Sequence, residues 1–315
     1  MQVGIQTGNV INRLGFEKGY AALCEAGFGG IDWNLDHACS GADLINGTYR
    51  GKSILERPLD EVIAHYEEEL SVIRKNDLSL LQCHAPFPCY VVGKPDVLTY
   101  SIEIYKRLIE FCDYVGCPYI VTHHAFSKPA MTTKMIDEVN EELYTSLIPT
   151  LLKCKNHVTV CIENGDARIP GPHPPYQFED DDFCGIPSKA PKIIDRYNCL
   201  AGEELFGLCL DTGHLNVVGF SASEYILAVG KRLKVLHLHD NNAAGDWHNV
   251  PFTGSIDWAD FCDALRTIGY TGNLAFETFW HMDRVLDLSE EMTMISLKSI
   301  ADIGKNFRNR IRQGI

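Results

Sequence analysis

Several short apolar runs in this chain stop at a histidine or an acid. Leu78 to Cys83 is followed by His84, Tyr119 to Thr122 by His123, Val158 to Ile162 by Glu163, and Gly207 to Leu210 by Asp211. Leu274 to Phe276 is followed by Glu277, and Lys234 to Leu238 contains His237. Three more groups of the same kind lie close by: His214, just after Asp211, and Asp246 and His248, in the polar stretch after His237. Taken alone, each has a plainer role. A strand-end histidine commonly hydrogen-bonds its own loop, Asp211 suits the N-cap of a following helix, and Asp246 suits a turn. Gathered in one place they are costly to bury unless they pair or hold a cation. Imidazoles and carboxylates without a thiolate suit Zn²⁺, Mn²⁺, Co²⁺ or Fe²⁺ better than Ca²⁺.

What must position them is a repeating frame. With Val3 to Gln6 and Gly30 to Trp33, the apolar runs number eight, spaced about 39 residues apart, which fits one strand, one helix and two loops. Helical patterns fill the gaps at Phe16 to Ala26, Pro58 to Asn76, Thr99 to Val115, Met135 to Asn156, Ser223 to Val229, Asp257 to Ile268 and Leu288 to Phe307. Gly27, Gly116, Gly230 and Gly269 follow four of them as C-cap residues. The rhythm predicts a (β/α)₈ TIM barrel, one domain over residues 1–315. The rival, an open doubly wound sheet, lacks a Gly-x-Gly-x-x-Gly after its first strand. In a barrel the strand ends form one catalytic rim.

Two gaps are long. Ser40 to Arg57 is polar, and Gly165 to Glu204 carries six prolines and the acidic run Glu179 to Asp182. The second reads as a long loop insertion after strand five, on the catalytic side and placed to act as a lid. Strand alternation turns Cys83 away from His84, turns His124 away if His123 points inward, and puts His239 on the face of His237. His239 would line the site or support it from behind. His65 and His157 read as surface residues.

Composition narrows the classes. Hydrophobic residues make up 45% and charged ones 22%, ordinary for a globular enzyme. No apolar run reaches the ~18 residues of a membrane helix, and Met1 to Val10 lacks a signal core. Twelve cysteines without a Cys-x-x-Cys pair read as reduced thiols, hence a cytoplasmic protein. A net charge of −14 argues against a nucleic-acid partner. A homo-oligomer fits equally well with a monomer.

The chain resembles the sugar phosphate isomerase/epimerase superfamily, the xylose-isomerase-like barrels that also include endonuclease IV. The resemblance rests on Ala26-Gly27-Phe28-Gly29-Gly30-Ile31-Asp32, Ile162-Glu163-Asn164, Leu210-Asp211-Thr212-Gly213-His214, His237-Leu238-His239-Asp240-Asn241, Asp246-Trp247-His248, Gly254-Ser255-Ile256-Asp257-Trp258 and Phe276-Glu277-Thr278. It implies a divalent metal (Mn, Zn, Co or Mg) on Glu163, Asp211, His237 and Glu277. It also places His84, His123, His214, Asp246 and His248 at the endonuclease branch's additional zinc ligands, where they would bind further metal or substrate. The loops Gly8 to Arg13 and Asn34 to Ala38 lack that branch's basic DNA-penetrating residues. The arginine that ketose 3-epimerases carry after the strand-seven histidine is missing from Asp240 to Gly245.

The implied activity is isomerisation or epimerisation of a small sugar or sugar phosphate through an enediolate, with Glu163 and Glu277 as proton-transfer groups. Trp33 is placed to stack on a sugar ring or to pack in the core, as are Trp247 and Trp280. Arg168, Lys189, Lys192 and Arg196 would reach a phosphate or simply be solvated. The alternatives are an endonuclease IV-like multi-zinc phosphodiesterase and a non-catalytic metal-binding barrel.

Overall fold

The computed structural model describes residues 1–125, 131–165 and 183–313. Eight strands alternate with helices: β1 (Val3–Gln6), β2 (Gly30–Asn34), β3 (Ser79–His84), β4 (Tyr119–His123), β5 (Thr159–Glu163), β6 (Phe206–Asp211), β7 (Leu233–His237) and β8 (Leu274–Phe276). They pair in parallel in the order β7-β6-β5-β4-β3-β2-β1-β8. The ring closes where the Leu238 N–H donates to Ala275 O at 2.9 Å and the Glu277 N–H donates to Leu238 O at 3.1 Å. This is the expected TIM barrel, and no helix among the described residues is long and apolar enough to cross a membrane.

Strand alternation explains what fills the barrel. Val121, Cys161, Cys209 and Val235 form a small apolar cluster apart from the main core. Residues two further along a strand share its face. So His123, Glu163, Asp211 and His237 must stack on that cluster as the next layer up. Register keeps them level: His123 pairs with Glu163 and Asp211 with His237. On β3 the same alternation sends Gln82 and His84 inward. Cys83 goes outward, where its Sγ meets that of Cys112 at 3.4 Å on the helix Pro95–Val115. All twelve cysteines are free thiols.

Several elements depart from the sequence reading. The stretch 165–204 is not one continuous loop: Ala190–Ala201 is the helix that follows β5. Pro191 reads as a breaker, yet it sits in the first turn, where a missing N–H costs nothing. Ala190, Ile194 and Tyr197 are its buried positions. Residues 166–182, the centre of the expected lid and home of Arg168, lie outside the described residues. The helix expected over Met135 to Asn156 is two, Thr133–Thr145 and Ile148–Leu151, with Pro149 in the first turn of the second. Short helices over Gly41–Asn46, Thr212–Val218 and Phe279–Leu286 had no periodicity long enough to show.

Candidate active site

At the centre of the rim lies His237, wholly buried. Its Nδ1 is 3.3 Å from Glu163 Oε1 and 3.3 Å from Glu277 Oε2. Its Nε2 is 2.9 Å from Asp32 Oδ2, an oxygen that also accepts from Gln82 Nε2 at 2.9 Å. Burial opposes a charge on this imidazole. The surrounding Cys209, Glu277, Glu163 and Asp32 nevertheless hold its pKa well above the usual histidine value. The two glutamates are pushed apart. Burial would raise Glu163, but His237, His123 and His84 hold it well below the carboxylate range. Burial raises Glu277, and its histidine neighbours do not fully offset that.

Two flanking groups follow one design. His84 Nε2 and His123 Nε2 are 3.1 Å apart, and they lie 3.7 and 3.5 Å from Glu163 Oε2. His84 spends its Nδ1 on Ala85 O at 2.9 Å. Burial pushes His123 down to about 3. On the other side, Asp246 Oδ2 receives His248 Nε2 at 2.9 Å and faces His214 Nε2 at 3.3 Å. Backbone carbonyls take the other nitrogens: Asn164 O for His214 Nδ1 at 2.9 Å and Glu277 O for His248 Nδ1 at 3.0 Å. For His84, His214 and His248 the backbone orients the ring and leaves Nε2 facing a carboxylate. Hydrogen bonds to the far nitrogen of this kind orient metal-ligating histidines. Asp246 is held well below the usual carboxylate range: burial opposes ionisation, but His214 and His248 overcome it.

Asp211 serves two partners. Its Oδ1 caps the helix Thr212–Val218 by accepting the His214 N–H at 2.6 Å, and its Oδ2 meets His239 Nε2 at 2.8 Å. The N-cap role expected of Asp211 is present, and its second oxygen is taken by His239. His239 stacks on His248 with ring centres 3.9 Å apart. It is wholly buried and does not line the cavity.

The arrangement fits a bound cation on its own chemistry. Buried polar atoms without an aligned partner gather here: Asp32 Oδ1, Glu163 Oε2, both His237 nitrogens, His239 Nδ1 and Asp246 Oδ1. Unsatisfied buried groups at this density are costly, and a positive ion among carboxylates and imidazoles offsets them. Among the described residues, groups here with ligand atoms close enough to share an ion include His84, His123 and Glu163; Glu163, Cys209 and His237; His214, Asp246 and His248; and His239, His248 and Glu277.

A cavity of about 540 Å³ opens above this layer, with Glu163, Glu277, Asp246 and the flanking histidines in its wall. Among the described residues that line it, none is Lys or Arg. His124 lines it beside His123, contrary to strict alternation, because β4 ends at His123. Burial pushes His124 down to about 4.

Other candidates lie elsewhere. Trp33 is a correction. It is wholly buried on the outer face of β2, packs on Tyr66 and Phe111, and donates from Nε1 to Glu69 at 3.0 Å. Strand alternation turns it away from the barrel interior that Asp32 and Asn34 face. Trp247 and Trp280 are exposed and do not line the cavity. Arg196 pairs with Glu141 at 2.7 Å and does not reach the cavity, nor do Lys189 and Lys192. His65 and His157 are exposed. Asp32 and Gln82 are the site residues that the sequence reading passed over. Asp32 closed the Ala26-to-Asp32 motif, and its inward position on β2 was the available signal.

Similar proteins agree on the fold. The D-psicose 3-epimerase of Enterocloster bolteae is 36% identical over 103 residues, covering 29% of this chain and 32% of its own length. The protein named Probable endonuclease 4 of Nitrosopumilus maritimus is 26% identical over 238 residues, 69% of this chain and 76% of its own. The crystal structure of D-psicose 3-epimerase from Clostridium cellulolyticum H10 superposes with a TM-score of 0.68 at 16% identity, covering 98% of this chain and 99% of that one. Residues 21–298 match the family described as the xylose isomerase-like TIM barrel, and with the barrel and its rim in view the chain belongs to that family.

Proposed function

We propose that this protein is a metal-dependent sugar epimerase or isomerase that moves a proton at a carbon beside a carbonyl. The observation that carries the reading is the pair Glu163 and Glu277, both buried and each 3.3 Å from the same nitrogen of His237. Glu163, Asp211, His237 and Glu277 would hold the divalent ion, with His84, His123, His214, Asp246 and His248 available for further metal or substrate. A divalent ion in such a site supplies Lewis-acid stabilisation of negative charge on a substrate oxygen.

The chain's own residues do the rest. Glu163 and Glu277 project from β5 and from just beyond β8, so a sugar between them presents opposite faces to two carboxyl groups. One removes the proton, giving an enediolate, and the other returns a proton to the opposite face, which inverts that carbon. With one glutamate acting alone, the same chemistry shifts the carbonyl instead. Relatives acting on D-psicose and L-ribulose at carbon 3 support the epimerase form. Incubating ketoses with protein in D₂O tests it: deuterium should appear at the carbon beside the carbonyl. Conversion without deuterium would instead point to a hydride shift.

A second reading has its own observation. The flanking groups around His84 and Asp246 supply imidazole and carboxylate ligands beyond one ion's needs, as a multi-metal phosphodiesterase would require. A cavity walled by carboxylates, with no Lys or Arg among its described lining residues, is a poor phosphate site. Nicking of abasic-site DNA by the metal-loaded protein would establish this reading over the first.

A further inference from the structure

Beside the main cavity lies a second one of about 530 Å³. The two share Asn34, Asp36 and Phe279 in their walls, so they adjoin. Each is of the size that holds a small organic ligand, roughly 300–1,000 Å³. The second cavity sits at the ends of β1 and β2 and beside the helix Phe279–Leu286, on the barrel side opposite β4 and β5.

Its chemistry is that of a hydroxyl-binding surface. Asn9, Asn12 and Asn34 offer amides, and Asp36 and Asp283 offer carboxylates. The one cation in its wall, Arg13, is paired with Asp287. The Asn9 amide is anchored on Asp283. Asn34 commits its Oδ1 to the Asp36 N–H at 2.9 Å, which leaves its Nδ2 to donate. Gly8 keeps the space beside Asn34 open, since a Cβ there would lie 2.9 Å from Asn34 Nδ2. A phosphate or carboxylate entering this cavity would meet acids and no unpaired cation among its described residues. An apolar group would find only Phe279 and Leu286.

Building on the epimerase reading, we infer that the substrate is a keto-sugar carrying a second, uncharged sugar ring. The reacting ring lies over Glu163 and Glu277, and the second ring occupies the amide-lined cavity. Asn9, Asn12 and Asn34 bind its hydroxyls.

The test measures solvent-deuterium exchange by NMR on three sets of ketoses: free hexuloses; the ketose disaccharides maltulose, lactulose and isomaltulose; and fructose 6-phosphate. At least one disaccharide should exceed every free ketose in kcat/KM by about tenfold, the return on one or two net hydrogen bonds. Asn12 is exposed, so Asn12→Trp should fold and fill the second cavity, bringing that ratio back toward one. Free or phosphorylated ketoses exchanging as well as the disaccharides would overturn the inference and leave the epimerase reading standing. Exchange with none of the three sets would overturn both.

Discussion

Replacing Asp32 with alanine should loosen the metal centre without removing any proposed ligand. Asp32 is wholly buried, and its Oδ2 lies 2.9 Å from His237 Nε2. The variant removes the buried carboxylate that this imidazole faces. Gln82 loses its 2.9 Å acceptor but keeps Leu236 O at 3.3 Å, so most of the damage falls on His237. Removing the partner of buried polar groups costs about 1–3 kcal/mol. With about 2.1 cal/mol/K of melting entropy per residue, a chain of 315 residues should lose roughly 2–5 °C in Tm. The metal should be affected more, because a carboxylate behind a ligating histidine contributes about 10–100-fold to affinity. Asp32→Asn restores an acceptor oxygen without the charge, so its Tm should recover while its affinity recovers only in part. Competition with a chromophoric chelator for Zn²⁺ or Mn²⁺, run beside thermal melts on all three proteins, reads both quantities. If Asp32→Ala melts lower yet binds metal within about threefold of wild type, Asp32 supports the fold alone and its positioning role is refuted.

Glu277→Gln should abolish deuterium exchange into substrate while keeping part of the metal, since the amide oxygen still coordinates but cannot accept a proton; full activity would remove Glu277 from the mechanism. Gly213→Ala places a methyl 1.9 Å from His239 Cε1 and should push that ring off Asp211, lowering kcat by about a hundredfold with the fold intact by circular dichroism. Glu69 is buried beneath the Tyr20 hydroxyl and the Trp33 indole N–H, and burial raises its pKa despite both donors. A carboxyl raised in the folded state loses stability as pH climbs from the ordinary Glu value of about 4.3 through the raised one. Glu69→Gln keeps both hydrogen bonds without that loss, so it should melt above wild type near neutral pH, with the gap closing as pH falls below about 4. A gap that widens on acidification would contradict the assignment.

The periodicity of short apolar runs was enough to read the barrel, because parallel strands buried on both faces leave little choice of residue. The same logic placed the ionisable residues of β3 to β8, since a strand's C-terminal end in this fold is the rim by topology. The outward turn of Cys83 followed from alternation alone, while its meeting with Cys112 came only with the packing of the helix Pro95–Val115. Composition could not reveal that Pro191 begins a helix instead of extending a loop, because proline fits a first turn and an extended segment equally well. Alternation read from Asp32 and Asn34 also decides Trp33, but only tertiary packing supplied the buried Glu69 acceptor that its indole needs. Linear order likewise concealed that Asp32 and Gln82, fifty residues apart, meet behind His237. The ligand types were local properties of the chain. Which nitrogen of His214 and His248 faces a carboxylate, and which is spent on a backbone carbonyl, depended on segments far apart in the sequence, because a hydrogen bond is set by distance in space and not along the chain.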